Sequence, residues 1–261
     1  MNAISPNAAR PADDPAHAVR MAELAGTRLL EIRAELATSG ASGSAVKDAG
    51  DAAAQKVLAA ALIRDFSTDA VLSEESDDDE RRLSAERVWI IDPLDGTREF
   101  SEFDRDDWAV HVALWESGRL TAGAVALPAR GRTYSTADPT PTFAPLTDRP
   151  LRLAVSRSRP PEFVTELAGQ LDAELVAMGS AGVKAMSVVS GQCDAYLHGG
   201  GQYEWDSAAP VAVAAAAGLH TSRLDGSPLT YNGASPWLPD LMITRPEIAD
   251  TLLAAVASYT P

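Results

Sequence analysis

An α/β or α+β chain of layered sheets and helices is predicted by three features of the sequence. A helical period of apolar residues runs near its start, and an apolar tetrad, Val88-Trp89-Ile90-Ile91, stops at Asp92-Pro93. Beyond the middle, helical patterns alternate with short strand patterns, the arrangement that layers sheets against helices.

In chain order, residues 1–14 are rich in Ala, Asn, Pro and Asp without a period and are expected to form a loose tail. From Pro15 to Leu36, Val19, Ala22, Ala25, Leu29, Ile32 and Leu36 recur at three- and four-residue steps, which predicts an amphipathic helix. A second helix is expected from Asp51 to Phe66, with Asp51 or Asp48 as its N-cap. Ala70 to Leu72 is a short apolar run leading into Ser73-Glu74-Glu75-Ser76, and Asp77 to Arg87 is expected to be an exposed loop or short helix. Trp108–Trp115 and Ala122–Leu127 predict strands, with Glu116-Ser117-Gly118-Arg119 as the turn of a hairpin. Pro139 to Pro150 carries four prolines and marks an expected subdomain boundary. On this reading 15–145 form an N-terminal subdomain with most of the metal ligands. Residues 146–261 form a C-terminal one that carries Asp206 and the substrate-binding residues. Within the second part, Leu151–Val155, Glu174–Ala177 and Ala195–Leu197 read as strands, with helices over 161–171, 182–190 and 206–217. Gly218 follows the last helix at a capping position, and Gly199-Gly200-Gly201 is expected to be a flexible loop near the site.

Composition narrows the function. The 261 residues are 46% hydrophobic and 23% charged, ordinary for a globule of one large domain or two packed ones. Lys and Arg number 22 against 37 Asp and Glu, for a net charge of −15. Such a surface is repelled by phosphate backbones, which argues against a nucleic-acid binder. No apolar run is long enough to span a membrane, and no secretory signal pattern opens the chain. Cys193 is the sole cysteine, which fits a reduced cytoplasmic compartment and excludes a cysteine-built zinc site.

The chemistry concentrates in Trp89-Ile90-Ile91-Asp92-Pro93-Leu94-Asp95-Gly96-Thr97. An apolar strand delivers two carboxylates, three residues apart, into a turn. Close acids repel unless a cation lies between them, so the spacing suits a shared divalent metal. The Leu94 carbonyl would add a hard oxygen, and the Gly96 and Thr97 amides open the next segment where an anion can bind. An Asp-Gly turn capped by its own side chains is the plain structural alternative. Asp-Gly-Thr alone also suggests haloacid-dehalogenase phosphatases, but their two aspartates are separated by one residue and these by two. Glu74-Glu75 and Glu204-Trp205-Asp206 are further acidic points; alone, the first reads as surface and Asp206 as an N-cap.

Together, Ser73-Glu74-Glu75-Ser76, Asp92-Pro93-Leu94-Asp95-Gly96-Thr97 and Trp205-Asp206 match in order and spacing the signature of the inositol monophosphatase superfamily, which the chain resembles over nearly all its length after the tail. Glu204, Gly179-Ser180 with Lys184, Pro228-Leu229-Thr230-Tyr231-Asn232 and Ala49-Gly50-Asp51 look like its 3′(2′),5′-bisphosphate nucleotidase branch, and Val88 to Trp115 looks most like actinobacterial members. The resemblance implies an α-β-α-β-α sandwich and a lithium-inhibited, Mg²⁺-dependent phosphomonoesterase with two or three ions per site. It implies that Glu74, Asp92 and the Leu94 carbonyl hold one ion and Asp92, Asp95 and Asp206 another, with a third leaning on Glu74. Asp51 and Thr97 would accept the proton of the attacking water, supported by Glu75. Substrate would meet Asp95, Gly96, Thr97, Lys184, Glu204 and Asp206, with Lys184 toward a second phosphate.

The implied reaction is removal of the 3′-phosphate of adenosine 3′,5′-bisphosphate by direct water attack, with phosphoadenosine phosphosulfate as a second substrate. The implied partner is thus a small phosphorylated nucleotide, and relatives of this type are often homodimers. The alternatives are an inositol or fructose-bisphosphate phosphatase, and, in another class, a silent Mg²⁺-binding regulator. One departure stands out: Gly43 to Gly50 lacks the Val-Thr element of many relatives, so a looser loop is expected before Asp51. Trp89, Trp108 and Trp115 are expected in the core, Trp108 keeping a lesser alternative role against adenine. Cys193 is expected to be buried, His111 to be a satisfied sheet residue, and His198 to be at most a cleft neighbour.

Overall fold

The computed structural model describes residues 13–138, 140–147 and 149–259. Helix α1 spans Asp14–Ser39 and buries Ala18, Met21, Ala22, Ala25 and Leu29. Most of the expected tail lies outside the described residues, but Asp14 does not behave as tail. It opens α1, only 2% exposed, and accepts two hydrogen bonds from Arg87 at 3.0 and 3.1 Å.

Helix α2 spans Ser44–Asp65 and starts after Gly43, well before the expected Asp51. Asp51 therefore lies inside the helix and is no cap. The buried residues Val46, Gly50, Ala54, Leu58, Ala61 and Leu62 keep a four-residue step through the glycine. A Cβ at Gly50 would stand 2.6 Å from the Phe100 ring and 2.8 Å from Leu94, so close approach of the helix to that segment requires glycine. The segment lacking the Val-Thr element is thus helical from Ser44 onward rather than a loose loop.

The first sheet holds β1 (Ala70–Ser73), β2 (Arg87–Asp95), β3 (Ala109–Glu116), β4 (Arg119–Leu127) and β5 (Arg132–Ser135) in that order. Only β1 and β2 run parallel. Strand β2 does not stop at Asp92-Pro93. It passes through an irregularity between Asp92 and Asp95, where Asp92 faces His111 and Asp95 faces Ala109. The extra residue lets Pro93, which has no N–H, sit within a strand. Helix α3, Thr97–Ser101, follows directly.

The chain crosses to the second sheet between Ser135 and Arg152. There β6 (Arg152–Ser156), β7 (Glu174–Met178), β8 (Ala195–Tyr203), β9 (His220–Ser222) and β10 (Trp237–Thr244) lie in the order β7-β6-β8-β10-β9. Its helices are α4 (Glu162–Gln170), α5 (Ala181–Val189), α6 (Glu204–Ala216) and α7 (Ala249–Ser258). The glycine run expected as a loop lies within β8: Gly199 pairs with Asp240 of β10, while Gly200 and Gly201 bulge opposite Pro239.

Alternation along β2 explains the layers. Trp89 and Ile91 pack with α1 and α2, whereas Val88 and Ile90 face a middle layer with Val183 and Met186 of α5 and Ala208, Ala209 and Val213 of α6. Tyr196, Leu241 and Ile243 close that layer from the second sheet, and Leu153, Leu197 and Met242 face α4 and α7 beyond. The result is an α-β-α-β-α sandwich. Trp89 and Trp108 are fully buried; Trp108 meets Phe100 edge-on at 5.1 Å and the Arg33 guanidinium at 5.5 Å, which leaves it no face for adenine.

Candidate active site

The bulge in β2 and the start of α6 converge on one point. Ligand-capable oxygens of Asp92, Asp95 and Asp206 all lie within 4.8 Å of one another. Asp92 is 1% exposed, and its Oδ1 accepts from the Leu94 amide at 3.0 Å. Burial, then the charges of Glu74, Asp95 and Asp206, pushes its carboxyl well above the usual range. Asp206 is not the N-cap but the third residue of α6, reaching back to accept from Tyr203 N at 2.6 Å. Burial and Asp95 raise it to about 6.

Asp95 behaves oppositely. It accepts from Ser180 Oγ, from the Ala181 amide at 3.1 Å and from the Gly182 amide at 2.7 Å, and His111 Nε2 lies 3.2 Å from it. Burial opposes its charge, but His111, Lys184 and the Ser180 hydroxyl hold it below the ordinary carboxylate range. The first turn of α5 is thereby latched to the end of β2. His111 is more than the satisfied sheet residue expected. Its Nδ1 donates to the Trp205 carbonyl at 3.1 Å, so both ring nitrogens face oxygen acceptors. Burial disfavours the imidazolium, yet Asp95 raises the His111 pKa. A Cβ at Gly182 would sit 2.1 Å from His111 Nε2, so only glycine lets α5 pass this close.

Glu74 and Glu75 follow β1 on a turn tied to α2 by Ser73 Oγ, which donates to Gln55 at 2.9 Å. Glu74 is not in the three-carboxylate cluster, but partial burial and the charges of Asp206, Asp95, Glu75 and Asp51 raise it to about 7. Asp51, on α2, is raised to about 7 by burial and then by Glu75 and Asp48. Gly96 has φ 89°, and Thr97 is the first residue of α3. A Cβ at Gly96 would crowd Ser180 at 3.2 Å and Trp108 at 3.3 Å. Leu94 is buried between the two aspartates.

One expected substrate contact is placed differently. Glu204 is 1% exposed, and its carboxylate accepts from the Asn232 amide at 2.7 Å and the Gly233 amide at 2.8 Å. It anchors the 228–233 segment instead of lining the cleft, because those two amides have no other partner to satisfy them. Lys184 lines the cavity, but its Nζ is held by the carbonyls of Ser180 at 2.5 Å and Gly179 at 3.4 Å. Sequence reading also missed Arg82, 1% exposed inside the acidic stretch. It grips both Asp78 oxygens, at 2.6 and 2.8 Å, as well as Asn232 Oδ1 and the Gly233 carbonyl.

Beside the carboxylates opens a cavity of about 530 Å³, lined among others by Asp95, Lys184, His198, Gln202, Asp206 and Trp237. Two buried acids and a half-buried one facing one point fit a hard divalent cation: the donors are all oxygens and their repulsion needs positive charge between them. The raised carboxyls predict proton release on cation binding, so Mg²⁺ affinity should fall as pH drops from 8 to 6. Titration calorimetry in buffers of different ionisation enthalpy checks this, and pH-independent affinity contradicts it. Conversely, without cation the folded chain retains protons that the unfolded chain releases. Stability of the metal-free protein should therefore decline from roughly pH 4, the unfolded carboxyl range, to about 7.

The pattern of the Inositol monophosphatase family matches residues 15–260. A 3′-phosphoadenosine 5′-phosphate phosphatase of Mycobacterium leprae (strain TN) is 52% identical over 254 residues, 93% of each chain. The 3′(2′),5′-bisphosphate nucleotidase CysQ of Escherichia coli (strain K12) is 33% identical, over 73% of this chain and 81% of its own. The crystal structure of CysQ from Bacteroides thetaiotaomicron superposes with a TM-score of 0.71 at 25% identity, over 92% of this chain and 99% of that one. No helix among the described residues is long and apolar enough to cross a membrane.

Proposed function

The chain belongs to the inositol monophosphatase family, and on that premise we propose that it removes the 3′-phosphate of adenosine 3′,5′-bisphosphate, giving AMP and phosphate. One observation carries the reading: the Asp92, Asp95 and Asp206 cluster borders a cavity that also holds a cation for a second phosphate. That cation is Arg159, which lines the cavity and whose guanidinium has no carboxylate partner among the described residues.

Asp92, Asp95, Asp206, Glu74 and the Leu94 carbonyl would hold Mg²⁺, which when bound polarises the phosphoryl oxygens and acidifies the attacking water. The chain's own groups do the rest. The amides of Gly96 and Thr97, at the start of α3, receive the scissile phosphate. Asp51, held beside Glu75 on α2, accepts the water proton with Thr97 as relay. His111 and the amides of α5 fix the Asp95 carboxylate, so its free edge is oriented before substrate arrives. Lys184 adds positive charge to the cavity wall, offsetting Asp95 and Asp206. Mg²⁺ as the ion and a homodimer as the assembly are carried over from the resemblance, and a cytoplasmic location from the single cysteine; light scattering on the eluting protein tests the dimer.

Phosphate release from adenosine 3′,5′-bisphosphate, inositol 1-phosphate and fructose 1,6-bisphosphate, each with and without millimolar lithium, tests the function. A lithium-sensitive preference for the nucleotide supports the reading, and preference for inositol phosphate overturns it while keeping the metal site. Arg159→Met should raise KM for the bisphosphate about tenfold, the cost of one lost charge-assisted contact. It should affect adenosine 3′-monophosphate far less. An equal effect on both substrates removes Arg159 from the second-phosphate role.

A further inference from the structure

The two phosphates of the proposed substrate fall to different halves of the molecule. The scissile one meets the start of α3, which follows the first sheet, and the second meets Arg159, in the loop after β6 of the second sheet. The span between these two elements must be set by groups that cross from one half to the other.

Helix α3 is seated from its own side. Phe100 is fully buried, and Arg33 of α1 donates to the carbonyls of Phe100, Glu102 and Arg105 at 2.9, 2.7 and 2.9 Å. The loop after β6 has a weaker seat, since Ser158, Arg159 and Pro160 are all exposed. Among the described residues its amides are held at two points: Arg157 N–H donates to the Met178 carbonyl at 3.1 Å, and Arg159 N–H to Ser156 Oγ at 3.2 Å. One side chain ties this loop to α3. Arg157 Nε donates to Glu99 Oε1 at 2.6 Å, and its Nη2 to Glu102 Oε1 at 2.7 Å. Glu99 is 5% exposed and runs along the second-sheet backbone, where a Cβ at Gly179 would come within 2.2 Å of its Cγ. On the far side of that turn the Gly179 amide donates to Asp107 at 2.6 Å. A planar guanidinium that reaches two carboxylates at once fixes orientation as well as distance, which a point charge on a flexible stem does not. Ser156 before Arg157 and Arg159 beyond it line the cavity, while Arg157 itself turns to the glutamates.

We propose that Arg157 is a positioning residue that holds Arg159 at a fixed span from the α3 amides, so that the site selects esters whose two phosphates are spaced as in a 3′,5′-bisphosphate. Because α3 keeps its own anchors when the tie is cut, the loop is the partner that moves. Binding of the second phosphate then suffers, and the scissile phosphate keeps its place. The proposal rests on the nucleotide reading above and on the role of Arg159 in it, and adds the group that makes that role geometric.

The test measures kcat and KM for adenosine 3′,5′-bisphosphate and adenosine 3′-monophosphate with the Mg²⁺-loaded parent, Arg157→Met, Arg159→Met and the double variant. Arg157→Met is expected to raise KM for the bisphosphate about fivefold with kcat nearly kept, and to change the monophosphate far less. In the double variant the bisphosphate KM should equal that of Arg159→Met alone, because a residue that acts through another has nothing left to position. Arg157→Met leaves the buried Glu99 without its partner, so Glu102→Ala serves as the variant that spares folding. It removes the more exposed end of the tie and should shift the preference the same way by about twofold. Effects that multiply in the double variant, an equal loss on both substrates, or an unchanged bisphosphate KM in both Arg157→Met and Glu102→Ala would make the tie merely structural and overturn the proposal. If Arg159→Met itself leaves the bisphosphate KM unchanged, the second-phosphate role falls and this proposal with it. If the parent releases no phosphate from the nucleotide, the proposed function falls as well.

Discussion

Replacing Asp92 with Asn is expected to lower Mg²⁺-dependent turnover by at least about 10³-fold while the protein stays folded. The side chain keeps its shape and its oxygen toward the Leu94 amide, so the packing around β2 has no reason to change. What disappears is one of three carboxyls converging on a single point. Without cation the buried Asp92 carboxyl must be held protonated, a cost that the neutral amide does not carry, so the variant should melt above the parent in chelator. With saturating Mg²⁺ the order should reverse, because the parent gains more from a ligand that binds only the folded state. Thermal melts with and without Mg²⁺ read both signs. A variant that melts below the parent in chelator would show that Asp92 is paired for structure, and retained activity would remove it from the site.

Truncating Arg82 to Ala is the largest stability effect expected outside the carboxylate cluster. Its guanidinium spans Asp78, Asn232 Oδ1 and the Gly233 carbonyl while almost wholly buried. Asp78 is 36% exposed on its side chain and can turn to water, so the penalty falls on Asn232 and Gly233. We expect a loss of about 2–4 kcal/mol, a fall of roughly 10 °C in Tm. The same turn is held from its other side by Glu204, two residues before Asp206. Mg²⁺ should therefore bind more weakly as well. A melting change within about 1 °C would mean that the turn is held without Arg82.

Much of the site could be read from the chain because the features that mark it are local. Asp92 and Asp95 fall three residues apart at the end of an apolar strand, and that strand is apolar because helices cover both its faces. The hairpin at Ser117-Gly118 was equally plain, with φ of 49° and 93° at its two central residues. What escaped depends on partners far along the chain. Arg82 lies in an acidic stretch that reads as solvated, and its meaning comes from Asn232. His111 looks like one histidine between valines until Asp95 and Trp205 are brought to its two nitrogens. The expected start of α2 at Asp51 falls too late because Asp48 and Asp51 read as N-caps, whereas Gly50 between them is the point where the helix touches Phe100 and Leu94. The extent of β8 was hidden for a similar reason, since three glycines carry no strand signal without β10 beside them.

The division of the carboxylate cage between β2 and α6 also has a consequence for synthesis. A ribosome completes Asp92 and Asp95 long before it reaches Asp206, and the α5 amides that latch Asp95 emerge between the two events. The nascent first sheet therefore carries a pair of crowded acids with neither their latch nor their third member. A cation can be held tightly only once nearly the whole chain has left the exit tunnel. A chain truncated before α6 should therefore remain unloaded however well its first sheet has folded.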